Sequence, residues 1–134
     1  MKAATKVLDA YAILAFLEDQ PGADVVKQLI ERAIEDRTKL AMSVVNLGEV
    51  WYVLARAESA EFADQMVSDI QGMAIEVVDA DWPQARQAAA FKAALKMSYA
   101  DCFAASLAKL RKGEVVTGDR EFKAVEDEVR IALI

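Results

Sequence analysis

The sequence predicts an α/β fold, in which helices cover both faces of a central and mainly parallel β-sheet. Short apolar runs alternate along its 134 residues with longer segments in which apolar residues recur at helical spacing. Strands that alternate with helices of about 10 to 15 residues are typical of parallel sheets, because a parallel strand needs a crossover connection. The sequence contains no linker, repeat or low-complexity segment, so we predict a single domain over residues 1–134.

The predicted elements follow one another in the order that this fold requires. Strands are predicted at 6–8, 39–42, 75–78, 115–117 and 129–133. Helices are predicted at 10–17, 23–36, 44–57, 60–72, 81–95 and 100–112, with a short helix at 120–125. Pro21 and Gly22 separate the first two helices, Pro83 lies in the first turn of the fifth, and Gly113 is predicted to cap the sixth.

Composition excludes several classes of protein. The one cysteine, Cys102, rules out an internal disulfide, and no segment stays apolar over the roughly 18 residues that a membrane-spanning helix needs. A cytoplasmic location is therefore expected. The net charge of −6 argues against binding nucleic acid through a broad, positively charged surface. It does not exclude a nuclease, because bound metal ions reverse the local potential.

Four carboxylates lie beside apolar segments, where a carboxylate is costly unless a positive charge neutralises it. Asp9 and Asp119 directly follow predicted strands, and Glu49 and Asp101 lie in the first turns of predicted helices. In parallel sheets, ligands bind beyond the carboxyl ends of the strands, so one sheet edge can gather all four. The chain has no histidine, so chemistry at this edge would depend on carboxylates and a hard cation.

Each carboxylate also has a purely local explanation. Asp9 is a good N-cap, and Asp119 suits a turn or the cap of the short helix. Asn46 and Glu49 have the spacing of a capping box, so Asn46 either caps its helix or orients Glu49. Asp101 follows a serine by three residues, which favours an acid near a helix N-terminus. None of these explanations accounts for the equivalent placement of all four in an alternating fold.

Four segments in the same order resemble the signature blocks of PIN-domain ribonucleases, and more closely those of VapC-type toxins from bacterial toxin–antitoxin pairs. These segments are 7–15 (VLDAYAILA), 46–50 (NLGEV), 99–108 (YADCFAASLA) and 116–122 (VTGDREF). The resemblance runs from Lys6 to the C-terminus. It implies a three-layer α/β/α sandwich, an acidic pocket that binds Mg²⁺ or Mn²⁺, and endonuclease activity on RNA. It also implies a VapB-like antitoxin that covers the pocket, and a homodimer.

Carried over by position, the resemblance assigns the metal-binding acids and two supporting residues. The acids are Asp9, Glu49, Asp101 and Asp119, and the supporting residues are Thr117 and Asn46. Glu49 would either complete the coordination of one or two cations or accept the proton of the attacking water. The candidate phosphate contacts are Arg120, Lys123, Lys92 and Lys96.

One position departs from the family pattern. Many members carry Ser, Thr or Asn two residues after the first acid, whereas this chain carries the bulkier Tyr11. Two alternative functions on the same fold are a PIN nuclease of RNA processing and a non-catalytic interaction module. A phosphatase with Asp9 as nucleophile is disfavoured, because Tyr11 stands where the second Asp of a DxD pair would be.

Overall fold

Five parallel strands form the centre of the molecule, whose computed structural model describes residues 4–134. The strands are β1 (Thr5–Leu8), β2 (Lys39–Ser43), β3 (Ile75–Val78), β4 (Glu114–Thr117) and β5 (Arg130–Leu133). Their order across the sheet is β3-β2-β1-β4-β5, and every neighbouring pair is parallel. The parallel sheet predicted from the sequence is therefore confirmed.

Six α-helices and a short 3₁₀ helix connect the strands. They are α1 (Ala10–Leu17), α2 (Ala23–Ile34), α3 (Val44–Ala57), α4 (Ala60–Gln71), α5 (Trp82–Ala94), α6 (Tyr99–Leu110) and the 3₁₀ helix (Arg120–Val125). Hydrophobic periodicity located each of them to within two residues at either end. Among the residues described, no helix is both long and apolar enough to cross a lipid bilayer.

The helices form a layer on each face of the sheet. Alternate strand residues point to opposite faces: Leu8 and Val116 pack with α1 to α4, while Val7 and Val115 pack with α5, α6 and the 3₁₀ helix. All four side chains are almost completely buried. The central strands are thus apolar on both faces, which explains why their sequences are continuous hydrophobic runs.

One local prediction about a helix end was wrong, and one of the two alternatives for Asn46 is excluded. Gly113 does not cap α6, because Lys112 takes the left-handed position after that helix with a φ of 53°. Close packing requires glycine at this position instead, because a Cβ on residue 113 would lie 2.4 Å from the backbone oxygen of Thr5 in the neighbouring strand. Asn46 does not cap α3, because Ser43 is the N-cap and accepts from a backbone N–H of the first turn.

The chain connections determine where polar residues meet. β1 leads into α1, β2 into α3 and β4 into the 3₁₀ helix, and each of these turns lies beyond the carboxyl end of a parallel strand. The carboxyl ends of parallel strands lie on the same edge of the sheet. The N-terminal turn of α6 reaches that edge too, since the Asn46 side chain of α3 donates a hydrogen bond of 3.0 Å to the backbone oxygen of Ala100.

Candidate metal centre

Asp9 is held rigidly between β1 and α1. It is the N-cap of α1, and its Oδ1 accepts a hydrogen bond of 2.8 Å from the backbone N–H of Ala12. Its Oδ2 accepts a second one, of 2.5 Å, from the hydroxyl of Thr117. Only 1% of Asp9 is exposed. Asp9 can therefore cap α1 and still serve as a candidate ligand. Its two hydrogen bonds fix the orientation of its carboxylate.

Thr117 connects Asp9 to the second carboxylate of the edge. Its Oγ1, which donates to Asp9, also accepts a hydrogen bond of 2.9 Å from the backbone N–H of Asp119. Asp119 in turn caps the 3₁₀ helix, since its Oδ1 accepts from the backbone N–H of Glu121 at 2.9 Å. The fully buried Thr117 hydroxyl thus fixes the relative positions of β1 and of the turn that carries Asp119.

A third acid reaches the edge from α6. Ser98 caps that helix, and its hydroxyl accepts a hydrogen bond of 3.1 Å from the backbone N–H of Asp101. Single carboxylate oxygens of Asp101, Asp119 and Glu121 all lie within 4.8 Å of one another. The sequence argument missed Glu121. Its only signal was its place in the segment 116–122, two residues after Asp119.

Glu49 and Asn46 present unpaired acceptor atoms at neighbouring positions of α3. Within residues 4–134, Glu49 Oε1 and Asn46 Oδ1 are buried and have no hydrogen-bond partner. Both are oxygens, so a donor or a cation would satisfy them. Asn46 itself is completely buried, and its amide nitrogen binds the backbone one residue before Asp101. Asn46 therefore joins α3 to α6, a contact that neither of its two predicted roles included.

Burial dominates the electrostatics of Asp9. Desolvation raises its pKa from 3.8 to about 7, although hydrogen bonds from Thr117 and Ala12 act in the opposite direction. The negative charges of Asp101 and Asp119 raise the pKa further. Near neutral pH, a metal-free Asp9 is therefore close to half protonated, and a nearby cation would favour its charged form.

The other acids experience the same combination of burial and mutual repulsion. Burial raises the pKa of Asp101 from 3.8 to about 6. Hydrogen bonding to the Ser98 side chain lowers this pKa, and the negative charge of Asp119 raises it further. Burial also raises the pKa of Glu49, against the effect of the Asn46 amide and with that of Asp119. Asp119 thus acts on all three other predicted acids, which shows that the four share one electrostatic field.

The donor set fits a hard divalent cation. Every candidate ligand atom is a carboxylate or amide oxygen, the class that Mg²⁺, Mn²⁺ and Ca²⁺ prefer in proteins. Direct hydrogen bonds join Asp9, Thr117 and Asp119, short carboxylate distances join Asp101 to Asp119, and coulombic effects reach Glu49. The structure thus brings Asp101 and Asp119 close together and adds Glu121 to them. Asp9 is joined to Asp119 through Thr117, whereas Glu49 lies outside the group of close carboxylates.

The cations proposed as phosphate contacts separate into two kinds. Lys92 is already engaged, because its Nζ donates a hydrogen bond of 2.7 Å to the backbone oxygen of Met97. Arg120 and Lys123 are exposed on the 3₁₀ helix directly after Asp119, and Lys96 is exposed in the turn before α6. The last three are exposed, whereas Lys92 is engaged with a backbone oxygen.

Gly118 is required by a neighbouring side chain. A Cβ at this position would lie 2.1 Å from Cε1 and 2.5 Å from Cζ of Tyr11. Within the described chain, Gly22 is the glycine with positive φ, so Gly118 does not serve a left-handed turn. The bulky Tyr11, which departs from the family pattern, is therefore accommodated by a glycine that separates Thr117 from Asp119.

Known proteins with similar structures share this architecture. VapBC2 from Rickettsia felis, solved with a DNA fragment from its promoter, superposes with a TM-score of 0.76 at 18% identity over 96% of this chain and 97% of that one. DNA-bound VapBC from Salmonella typhimurium superposes with a TM-score of 0.75 at 21% identity and the same coverage. At such identities the likeness establishes the three-layer fold alone.

Sequence comparison identifies the family. The chain is 35% identical over 86 residues to Ribonuclease VapC42 of Mycobacterium tuberculosis, and the match covers 62% of this chain and 60% of that protein. A VapC ribonuclease of Mycobacterium bovis matches to the same extent. The aligned region thus spans about 60% of the length of these curated relatives. The family described as PIN domain matches residues 6–128, which is nearly the whole chain. The chain belongs to the PIN-domain family.

Proposed function

We propose that this chain is a metal-dependent endoribonuclease, and that it is the toxin of a VapBC-type toxin–antitoxin pair acting as a single domain over residues 1–134. The observation that carries the proposal is the link from Asp9 through the Thr117 hydroxyl to Asp119, with the carboxylates of Asp101 and Glu121 beside it. Its sequence relatives are named ribonucleases. Its structural relatives are VapBC complexes, and VapBC-5 of Mycobacterium tuberculosis is described as a member of the VapBC family of toxin–antitoxin systems.

The proposed metal is Mg²⁺ or Mn²⁺, held by Asp9, Glu49, Asp101 and Asp119. Glu121 is a fifth candidate ligand, because its carboxylate lies within 4.8 Å of those of Asp101 and Asp119. When bound, such a cation polarises the scissile phosphodiester and increases the acidity of a water molecule. The oxygen-only donor set, and the repulsion among its acids without a cation, both support this assignment.

In the proposed reaction, each residue has a task that follows from its surroundings. A water oxygen attacks phosphorus, the bond from phosphorus to the 3′ oxygen breaks, and the leaving 3′ oxygen takes a proton from solvent, so the products carry a 5′-phosphate and a 3′-hydroxyl. Glu49 either completes the coordination of the cation or accepts the proton of the water, and its Oε1, which has no hydrogen-bond partner within residues 4–134, is the candidate atom for either task. Thr117 is a positioning residue that holds Asp9 and the Asp119 backbone.

The proposal is tested by cleavage of total cellular RNA with the purified protein in Mg²⁺, in Mn²⁺ and in EDTA. We expect discrete fragments with 5′-phosphates that disappear in EDTA and in Asp101→Asn. Asp24→Asn is the matched control, since Asp24 is an exposed acid in the first turn of another helix, α2. Cleavage that persists in EDTA, or that survives Asp101→Asn unchanged, would contradict a metal-dependent carboxylate mechanism.

Expression in bacterial cells separates a toxin from a nuclease of RNA processing. A toxin is expected to arrest growth in the wild-type form and not as Asp101→Asn, and co-expression of a VapB-like antitoxin should restore growth. Growth that continues unchanged with active enzyme would favour the processing nuclease. The proposed RNA substrate is consistent with action in the cytoplasm. The expected homodimer stays a prediction, which light scattering on the purified protein would test.

A further inference from the structure

We propose that Tyr11 determines where this enzyme cleaves, by stacking its ring on an unpaired base of the nucleotide next to the scissile phosphate. This inference rests on the proposed action on RNA and deepens it. It concerns the residue at which the chain departs from the pattern of its family, so it is a property of this chain rather than of PIN domains in general.

The first argument is position. Tyr11 follows Asp9 by two residues, and its ring covers the backbone of Gly118, between Thr117 and Asp119. A side chain on Gly118 would displace the ring, since Cε1, Cζ and Cδ1 all lie within 2.7 Å of where its Cβ would be. The ring thus lies over the residue that precedes Asp119, on the side chain two residues after Asp9, and so borders the carboxylate edge.

The second argument is accessibility. Although one part of the ring contacts Gly118, 48% of Tyr11 is exposed. The exposed part lines an open cavity of about 260 Å³ between α1 and the turn that follows it. The cavity is lined by Tyr11, Leu14, Ala15, Glu18, Gln20 and Pro21. Its walls are largely apolar, with polar groups from Tyr11, Glu18 and Gln20, and this mixture is usual in ligand sites.

The third argument is charge. The net charge of −6 disfavours extended electrostatic binding of the phosphate backbone away from the proposed metal site. Stacking of a base on an aromatic ring does not depend on the charge of the protein. The Glu18 carboxylate and the Gln20 amide line the cavity, where they can hydrogen-bond to the amino or imino groups of a base edge. RNA is favoured over a protein segment as the occupant because Tyr11 both lines the cavity and lies against Gly118, the residue before Asp119.

The test measures binding separately from cleavage. The probe is a short, labelled, single-stranded oligoribonucleotide in Ca²⁺, together with a set of the same oligonucleotides that carry one abasic nucleotide at each position in turn. Fluorescence anisotropy gives the dissociation constant of each for the wild type, Tyr11→Phe and Tyr11→Ser. The matched control is Tyr52→Ser, because Tyr52 is a tyrosine of similar exposure (44%) that does not line this cavity.

We expect Tyr11→Ser to weaken binding about 5- to 100-fold, the loss of one stacked base, while Tyr11→Phe and Tyr52→Ser bind as the wild type does. One abasic position should weaken the wild type by the same factor and leave Tyr11→Ser unaffected. A merely structural role of Tyr11 would not produce that dependence on a single base. Thermal unfolding of each variant shows that the fold is retained.

The outcomes separate the two proposals. The stacking proposal is overturned if the wild type and Tyr11→Ser bind equally, or if both proteins lose the same affinity at every abasic position. Either result would overturn it even if the enzyme cleaves RNA, and would favour a protein partner as the occupant of the cavity. Binding that shows the expected dependence on Tyr11 without any metal-dependent cleavage would instead overturn the proposed ribonuclease activity and retain the base site.

Discussion

The Thr117 hydroxyl donates to Asp9 Oδ2 at 2.5 Å and accepts from the backbone N–H of Asp119 at 2.9 Å. One buried oxygen thus determines the positions of two acids that come from neighbouring strands. Partners of metal ligands commonly matter nearly as much as the ligands themselves, because they fix the orientation of the ligand.

Thr117→Val is therefore expected to lower the cleavage rate about 10- to 100-fold, because it keeps the shape of the side chain but removes the hydroxyl. Thr117→Ser, which keeps the hydroxyl, is the control and should retain most of the rate. Single-turnover cleavage with saturating metal measures the effect. A valine variant as fast as the serine variant would show that this hydrogen bond does not position the site.

Asp9 makes the metal-free protein less stable as the pH rises. Its pKa is 3.8 when unperturbed and about 7 in the folded chain. Between these values the unfolded chain has released a proton that the folded chain keeps, so the free energy of unfolding decreases with increasing pH. The destabilisation is complete above pH 7 and absent below the unperturbed pKa.

Asp9→Asn removes this titration and keeps an N-cap residue. In the absence of divalent cations and above pH 7, we expect it to raise the free energy of unfolding by about 1 kcal/mol or more, a rise in Tm of about 3–6 °C. Near the unperturbed pKa the two proteins should unfold at similar temperatures. Calorimetry over this pH range measures the difference. A variant that is no more stable than the wild type above pH 7 would contradict the burial argument.

Glu121 is expected to contribute to metal affinity although it is exposed. Its carboxylate lies within 4.8 Å of those of Asp101 and Asp119. Glu121→Gln should weaken Mn²⁺ binding about 10-fold, as measured by calorimetric titration. Glu126→Gln, at the other end of the same 3₁₀ helix, is the matched control and should bind as the wild type does. Equal affinities for the two variants would remove Glu121 from the ligand set.

Gly118 and Tyr11 are expected to be energetically coupled. Gly118→Ala places a Cβ 2.1 Å from the Tyr11 ring, so the ring or the turn must move. We expect the substitution to destabilise the wild-type chain by about 1–3 kcal/mol, as overpacking usually does. In a Tyr11→Ser background the clash is absent. The destabilisation caused by Gly118→Ala should then fall to a few tenths of its value in the wild-type chain. A double-mutant cycle by chemical denaturation measures the coupling, and additive effects would argue against contact in solution.

The order of the elements and the identity of the acids could be predicted from the sequence, because both depend on local patterns. Apolar runs and helical periodicity locate strands and helices, and a parallel sheet brings residues after strands to one edge. The cap of α6 also follows from a local pattern. The spacing of Ser98 and Asp101 predicted the hydrogen bond between the Asp101 backbone N–H and the Ser98 hydroxyl.

Contacts between distant segments could not be predicted in this way. Gly113 was interpreted as a helix cap, but it is required by the backbone of Thr5 in a strand more than one hundred residues away. The bond from Asn46 to Ala100 depends on how α3 and α6 meet, which no local spacing encodes. Glu121 was missed because its spacing from Asp119 resembles that of any exposed acid in a short helix.

The bond from Asn46 to Ala100 joins two helices that pack on opposite faces of the sheet, since α3 belongs to one hydrophobic core and α6 to the other. Glu49 and Asp101 thus come from different layers, while Asp119 follows a strand near the end of the chain. The proposed centre exists only when both cores have formed. A nascent chain that has not yet emerged beyond residue 119 lacks one of the proposed ligands, so the proposed centre cannot assemble until nearly the whole chain has been synthesised and folded.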